Sequence, residues 1–155
     1  MVGNLTLTER LREHAFTSGL SEAQVAALAG LATEVTFEEN HVVLVDGQRS
    51  TSFYLLIGGS VVVELSTPRY TMVVQSLGPG QVFGWSALLD RQDTLFQVRA
   101  RERTTALRID GAALKECCFA DTALGAALLH RILNVVAGRV KATEMRFAEM
   151  CGVRV

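Results

Sequence analysis

The spacing of apolar positions changes twice along the chain. Residues 8–14 and 21–31 carry a helical repeat, clearest where Val25, Leu28, Ala29 and Ala32 follow at three- and four-residue steps behind Ser21, a good N-cap. The period then becomes two: Val35 and Phe37, Val43 and Val45, then Phe53, Leu55 and Ile57, then Val61, Val63 and Leu65. With further β-rich runs at 71–77, 95–100 and 105–109, this predicts about eight short strands broken by turns every 8–12 residues or so, the signature of a jelly roll or small barrel. Gly58-Gly59 stands between two runs with almost no spacer and predicts a tight hairpin with both glycines at positive φ.

The last change is back to a helical repeat. Asp110 can cap a short helix running through Lys115, and 121–150 is the longest periodic stretch of the chain. Within it Ala126, Leu129, Leu133, Val136, Val140, Thr143, Phe147 and Met150 form an almost wholly apolar seam at alternating three- and four-residue steps. A second stripe, Leu124, Leu128, Ile132 and Val135, fades after Val135, and Arg131, Arg139, Lys141, Glu144, Arg146 and Glu149 take the remainder. The expectation is a helix that packs one stripe on its own domain and offers the seam, represented by Leu129, Leu133, Val136, Val140 and Phe147, to a second copy in a parallel homodimer.

Composition narrows the picture further. A chain of 155 residues with 49% hydrophobic and 20% charged residues suits one globular domain. The division expected is N-terminal helices at 1–32, β-barrel at 33–110 and C-terminal helices at 111–151, with no DNA-binding domain. No uninterrupted apolar run reaches the roughly 20 residues of a membrane span, and the N-terminus has neither the basic start nor the apolar core of an export signal. A cytoplasmic protein without membrane contact is expected. A net charge of -1 gives no electrostatic footprint for nucleic acid. Cys117, Cys118 and Cys151 make neither a disulfide framework nor a zinc spacing, and His14, His41 and His130 lie on separate elements, so no metal is expected. Without a nucleophile–base pair, a Gly-x-Ser-x-Gly elbow or a His-rich strand cluster, no catalytic residues are assigned and an enzyme is not expected.

One stretch carries candidate chemistry. Leu77-Gly78-Pro79-Gly80 leads into Gln81-Val82-Phe83-Gly84-Trp85-Ser86-Ala87-Leu88, where a helical turn interrupts the β-region at the only tryptophan of the chain. Backbone amides at Gly84, Trp85 and Ala87, with the Ser86 hydroxyl, could cradle an anion there, and glycine admits close approach.

Together, Asp46-Gly47, the run Tyr54 to Val63, Leu77-Gly78-Pro79-Gly80, Phe83-Gly84, Val98-Arg99-Ala100 and the long last helix resemble the cyclic-nucleotide-binding domain family. That family includes catabolite-activator-type bacterial regulators and the regulatory subunits of cyclic-nucleotide-dependent kinases. The resemblance implies a mainly β, double-stranded β-helix (jelly-roll) barrel with N-terminal helices and a C-terminal dimerisation helix. It also implies a phosphate-binding cassette at Phe83, Gly84, Trp85, Ser86, Ala87, Thr94 and Leu95. The family's cassette reads Phe-Gly-Glu, with a Pro-Arg pair about ten residues on; its Glu holds the ribose and its Arg the cyclic phosphate. Here Trp85 stands at the Glu position and Asp93-Thr94 at the Pro-Arg pair, while Arg91, three residues before, is a candidate anion partner. Phe-Gly-Trp-Ser is similar to a variant cassette of small stand-alone bacterial members.

The resemblance thus makes cyclic AMP or cyclic GMP the family's ligand and the missing anchors disfavour both; no cofactor is assigned. A non-catalytic sensor of another small anionic or aromatic ligand is expected. Two alternatives stay open: a ligand-free dimeric interaction module with Trp85 filling the pocket, and the sensor part of a transcription regulator without its helix-turn-helix, because the chain stops where such regulators continue. Arg99, Arg101 and Arg103 are expected on a solvated strand face, and Tyr70, Met72 and Phe96 are candidates to line the barrel.

Overall fold

A computed structural model describes residues 5–90 and 96–153. Helices α1 (Leu7–Glu13) and α2 (Glu22–Ala29) open the chain, with a 3-10 turn at Ala15–Thr17 between them. Both helices begin with a capping box: Thr6 exchanges bonds with Glu9, and Ser21 with Gln24. Eight strands follow, β1 (Ala32–Phe37), β2 (Val42–Leu44), β3 (Ser52–Gly58), β4 (Val61–Ser66), β5 (Thr71–Leu77), β6 (Val82–Phe83), β7 (Phe96–Ala100) and β8 (Thr104–Asp110). Two helices close the described chain. Asp110 accepts from Ala113 N at the start of α3 (Gly111–Ala120), and Asp121 from Leu124 N at the start of α4 (Thr122–Met150).

The strands form two four-stranded sheets, ordered β1-β8-β3-β6 and β2-β7-β4-β5, with every pairing antiparallel. The alternation along β3 explains how they pack. Phe53 and Leu55 enter a core shared with α1, α2, α3 and α4, while Tyr54 and Leu56 enter a second core with Val61, Val63, Leu77, Phe83 and Val98. Because β3 is buried on both faces, it reads as a continuous apolar run.

The expected hairpin at Gly58-Gly59 is not formed. β3 and β4 lie in different sheets, so the chain crosses between layers instead of folding back on one ladder. Only Gly59 is left-handed, at φ +83°, and a Cβ there would come within 2.6 Å of Arg103 O and Thr104 Oγ1. Alternation identifies strands but not their partners.

Long enough and apolar enough to span a membrane by length and composition, α4 is alone in this among the described residues. Reading for an uninterrupted apolar run misses it, because Arg131 and Arg139 interrupt the stretch. In the fold its Leu124, Leu128 and Ile132 are buried in the core shared with β3 and β8.

His14 ties the N-terminal helices to the β-region. Its Nε2 bonds Leu56 O at 2.8 Å and its Nδ1 accepts from Phe16 N at 3.1 Å, so the neutral ring with the proton on Nε2 satisfies both. Burial pushes the imidazole pKa down from its ordinary value. The neutral form is then the one the fold prefers: this contribution to stability is complete above the unfolded pKa, about 6.5, and is lost as pH falls below it. Denaturant midpoints at pH 7.5 and 5.5 should show the loss, and His14→Gln should shrink the difference; an equal difference in both proteins would remove His14 from the account.

Candidate functional site

The corner after β6 is built around Gly84. β6 adds to β3 with Phe83 opposite Tyr54, and these two rings stack at 4.7 Å and 11°. Gly84 then turns left-handed, at φ +84° and ψ +20°, with its missing Cβ position only 2.5 Å from Ser52 O. A side chain has no room there. The 3-10 turn Trp85–Leu88 follows, closed by Ala87 N donating to Gly84 O and Leu89 N to Ser86 O, both at 3.1 Å. Such a turn spends its own amides on i to i+3 bonds. The Ala87 amide, counted in the expected anion cradle, is therefore already engaged.

Ser86, Ala87 and Leu88 are buried, while Trp85 is half-buried and packs against the helix-side core. Inside the corner, Gly84, Trp85 and Ser86 meet Leu44, Val63, Phe96, Val98 and Arg139 around a cavity of about 30 Å³. That is the share of one water in the liquid, far below the several hundred Å³ of a site for a small organic molecule. Arg91, Asp93, Thr94 and Leu95 lie outside the described residues, so the expected roles of Arg91, Thr94 and Leu95 have no structural description.

Arg139, assigned by residue type to the polar remainder of α4, is a cassette neighbour. Its Nε donates to Gln75 Oε1 at 2.7 Å, and burial pushes its pKa down to about 10. A signal was present in the sequence: Leu124, Leu128, Ile132 and Val135 step by three or four, and the next such step is Arg139. The inward stripe continues with a guanidinium where its apolar character ends.

Two smaller expectations are corrected. Arg99 is not a solvated charge; its Nε meets Glu64 Oε1 at 2.7 Å, and Glu64, only 5% exposed, also accepts from Gln97. A nearly buried carboxylate needs such partners. Tyr70, offered as a lining residue, is 53% exposed, because it precedes β5 in the turn that Thr67 closes.

On α4, Leu129, Leu133, Val140 and Phe147 are exposed, the last two-thirds so at 68%, whereas Val136 is half-buried against the chain's own core. Among the described residues no group of three or more His, Cys, Asp and Glu could hold a metal. Cys118 is buried, which pushes its thiol pKa up, and Cys151 is exposed at the end of α4.

Comparison with known proteins agrees with this architecture. A protein from Geobacter metallireducens named for cyclic nucleotide binding superposes with a TM-score of 0.77 at 27% identity, over 88% of this chain and 99% of that one. A cyclic nucleotide-binding domain from Methylobacillus flagellatus gives a TM-score of 0.80 at 18% identity, over 92% and 83% of the two chains, a likeness of fold. A protein of Rhodopseudomonas palustris named as a potassium channel is 30% identical over 122 residues, covering 79% of this chain; the chain spans 28% of that relative's length. Residues 34–121 match the model of the cyclic nucleotide-binding domain. On that match and that fold, the chain belongs to the cyclic nucleotide-binding domain family.

Proposed function

We propose that the chain is a non-catalytic regulatory domain whose cassette is filled by Trp85 and which works through pairing of α4 with a second copy, without tight binding of cyclic AMP or cyclic GMP. The observation that carries this reading is that, among the described residues, the cavity at Gly84, Trp85 and Ser86 is only about 30 Å³. To enter there, a cyclic nucleotide would have to move the half-buried indole, which lines the cavity and packs against the helix-side core. It would then meet an indole where the family's ribose-binding carboxylate stands, and Thr94 where the family's arginine stands. The loss of one charge-assisted phosphate contact alone costs about 1.5–3 kcal/mol, one to two powers of ten in affinity.

Calorimetric titration with cyclic AMP and cyclic GMP tests it. No saturable heat is expected at micromolar nucleotide, and a complex of micromolar or tighter affinity with either would overturn the reading. The emission of Trp85 separates the filled cassette from a sensor of some other anionic or aromatic ligand. A packed indole emits towards the blue and ignores a metabolite panel, whereas a red, responsive emission favours the sensor. The exposed seam on α4 supports the pairing, since a contiguous apolar stripe on one helix face is a usual site of self-association.

A further inference from the structure

The largest of the described cavities is not at the cassette but behind it. About 400 Å³ opens between the 3-10 turn Ala15–Thr17, the corner from β5 to β6 and the middle of α4. Phe16 and Val82 give it an apolar wall, and Arg131, Gly138 and Arg139 reach it from α4, with Gln75 opposite. We propose that this cavity binds a mononucleotide-sized organic phosphate, with Arg139 and Arg131 as the partners of the anion and the apolar wall against its flat body.

Three independent features support the site. Among the described residues both guanidiniums are held only by neutral groups. Arg139 donates to Gln75, and Arg131 donates to the carbonyls of Ala127 and Ser18. Five other arginines, Arg10, Arg12, Arg99, Arg103 and Arg146, form ion pairs, yet among the described residues no carboxylate lies within ion-pair distance of Arg131 or Arg139. A part-buried cation without a counter-charge is costly, and an incoming dianion with several acceptor oxygens relieves that cost. The lowered pKa of Arg139 reports the same desolvation.

The second feature is Gly138. A glycine inside a helix costs about 1 kcal/mol relative to alanine, and it is usually tolerated where another group approaches closely. Nothing lies within 4 Å of where its Cβ would be, so no contact of the described chain requires glycine here. Its missing side chain keeps the cavity open on the α4 side.

The third is orientation. At about 100° per residue, Arg131 and Gly138 lie roughly opposite the face of Leu129, Leu133 and Val140, and Arg139 about a quarter turn from it. A pair formed through the seam would leave the cavity accessible. Arg139 also lines the small cassette cavity, so the two cavities share one wall residue.

The test uses the full chain and three probes, adenosine 5′-monophosphate, inorganic phosphate and adenosine, titrated by calorimetry and by amide chemical-shift mapping. The monophosphate should bind in the sub-millimolar range, phosphate more weakly and adenosine not measurably. Arg139→Gln should weaken the monophosphate by about tenfold or more. Gly138→Leu should abolish binding by filling the cavity while the thermal midpoint holds or rises, since leucine is the better helix former. Circular dichroism establishes that each variant is folded, and either variant alone suffices. Absence of saturable binding of both phosphates up to about 5 mM would overturn the proposal. So would binding that neither variant alters, or shifts confined to residues 84–88, which would place the ligand in the cassette.

Discussion

Replacing Gly84 by alanine should destabilise the domain by roughly 2–5 kcal/mol, the largest effect expected of any single methyl group in the cassette. Two costs add. The left-handed backbone at φ +84° penalises any L-residue with a Cβ by about 1–2 kcal/mol. The new methyl would also sit 2.5 Å from Ser52 O and 3.3 Å from the Tyr54 ring, and relieving such overpacking costs about 1–3 kcal/mol more. Neither neighbour can yield freely: Ser52 opens β3, where it pairs with Asp110 of β8, and Tyr54 is stacked on Phe83. In a domain of this size the thermal midpoint should fall by roughly 5–15 °C. Gly58→Ala is the matched control, because a Cβ there meets nothing within 4 Å and its φ is not left-handed. A Gly84→Ala protein as stable as the control would show that the close approach to Ser52 is not a constraint.

The same corner shows what the sequence could and could not convey. Phe83-Gly84 followed by a short helical turn is a local pattern, set by turn chemistry within five residues, and it was readable. Whether that corner encloses a usable volume depends on Leu44, Val63 and Val98, brought from three other strands, and on Arg139, more than fifty residues away. Periodicity has no access to such meetings. It marks Phe53, Leu55 and Ile57 as one face of a strand, yet it cannot say that Tyr54 and Leu56 face a second sheet, nor that Gly58-Gly59 carries the chain between sheets. Arg139 is the instructive miss. Residue type assigned it to the polar face of α4, whereas its position in the three- and four-residue register assigned it to the interior; register prevailed, because a long arginine stem can reach past the apolar stripe to Gln75.

Register also decides how the proposed pairing of α4 should be tested. Val136 is central to the seam by spacing but half-buried against the chain's own core, so a lysine there would damage the monomer along with any interface. Leu133, 63% exposed, separates the two effects. In a two-fold helix pair each copy contributes one Leu133, and burying a leucine contributes about 1.5–3 kcal/mol, so removing both weakens association by at least about 3 kcal/mol, or a hundredfold in Kd, before repulsion between the two new ammonium groups is counted. Light scattering after size exclusion should therefore find a dimer for the parent and a monomer for Leu133→Lys, with unchanged far-ultraviolet circular dichroism. Cys151, exposed at the end of α4, reports direction. A parallel pair brings the two copies of Cys151 to one level, where a short thiol cross-linker joins them. An antiparallel pair centred near Val136 and Val140 holds them some 40 Å apart, at about 1.5 Å of rise per residue. A parent that stays monomeric, or a Leu133→Lys protein that stays dimeric, would remove the seam from the account, and a dimer that resists cross-linking at Cys151 would remove its parallel arrangement.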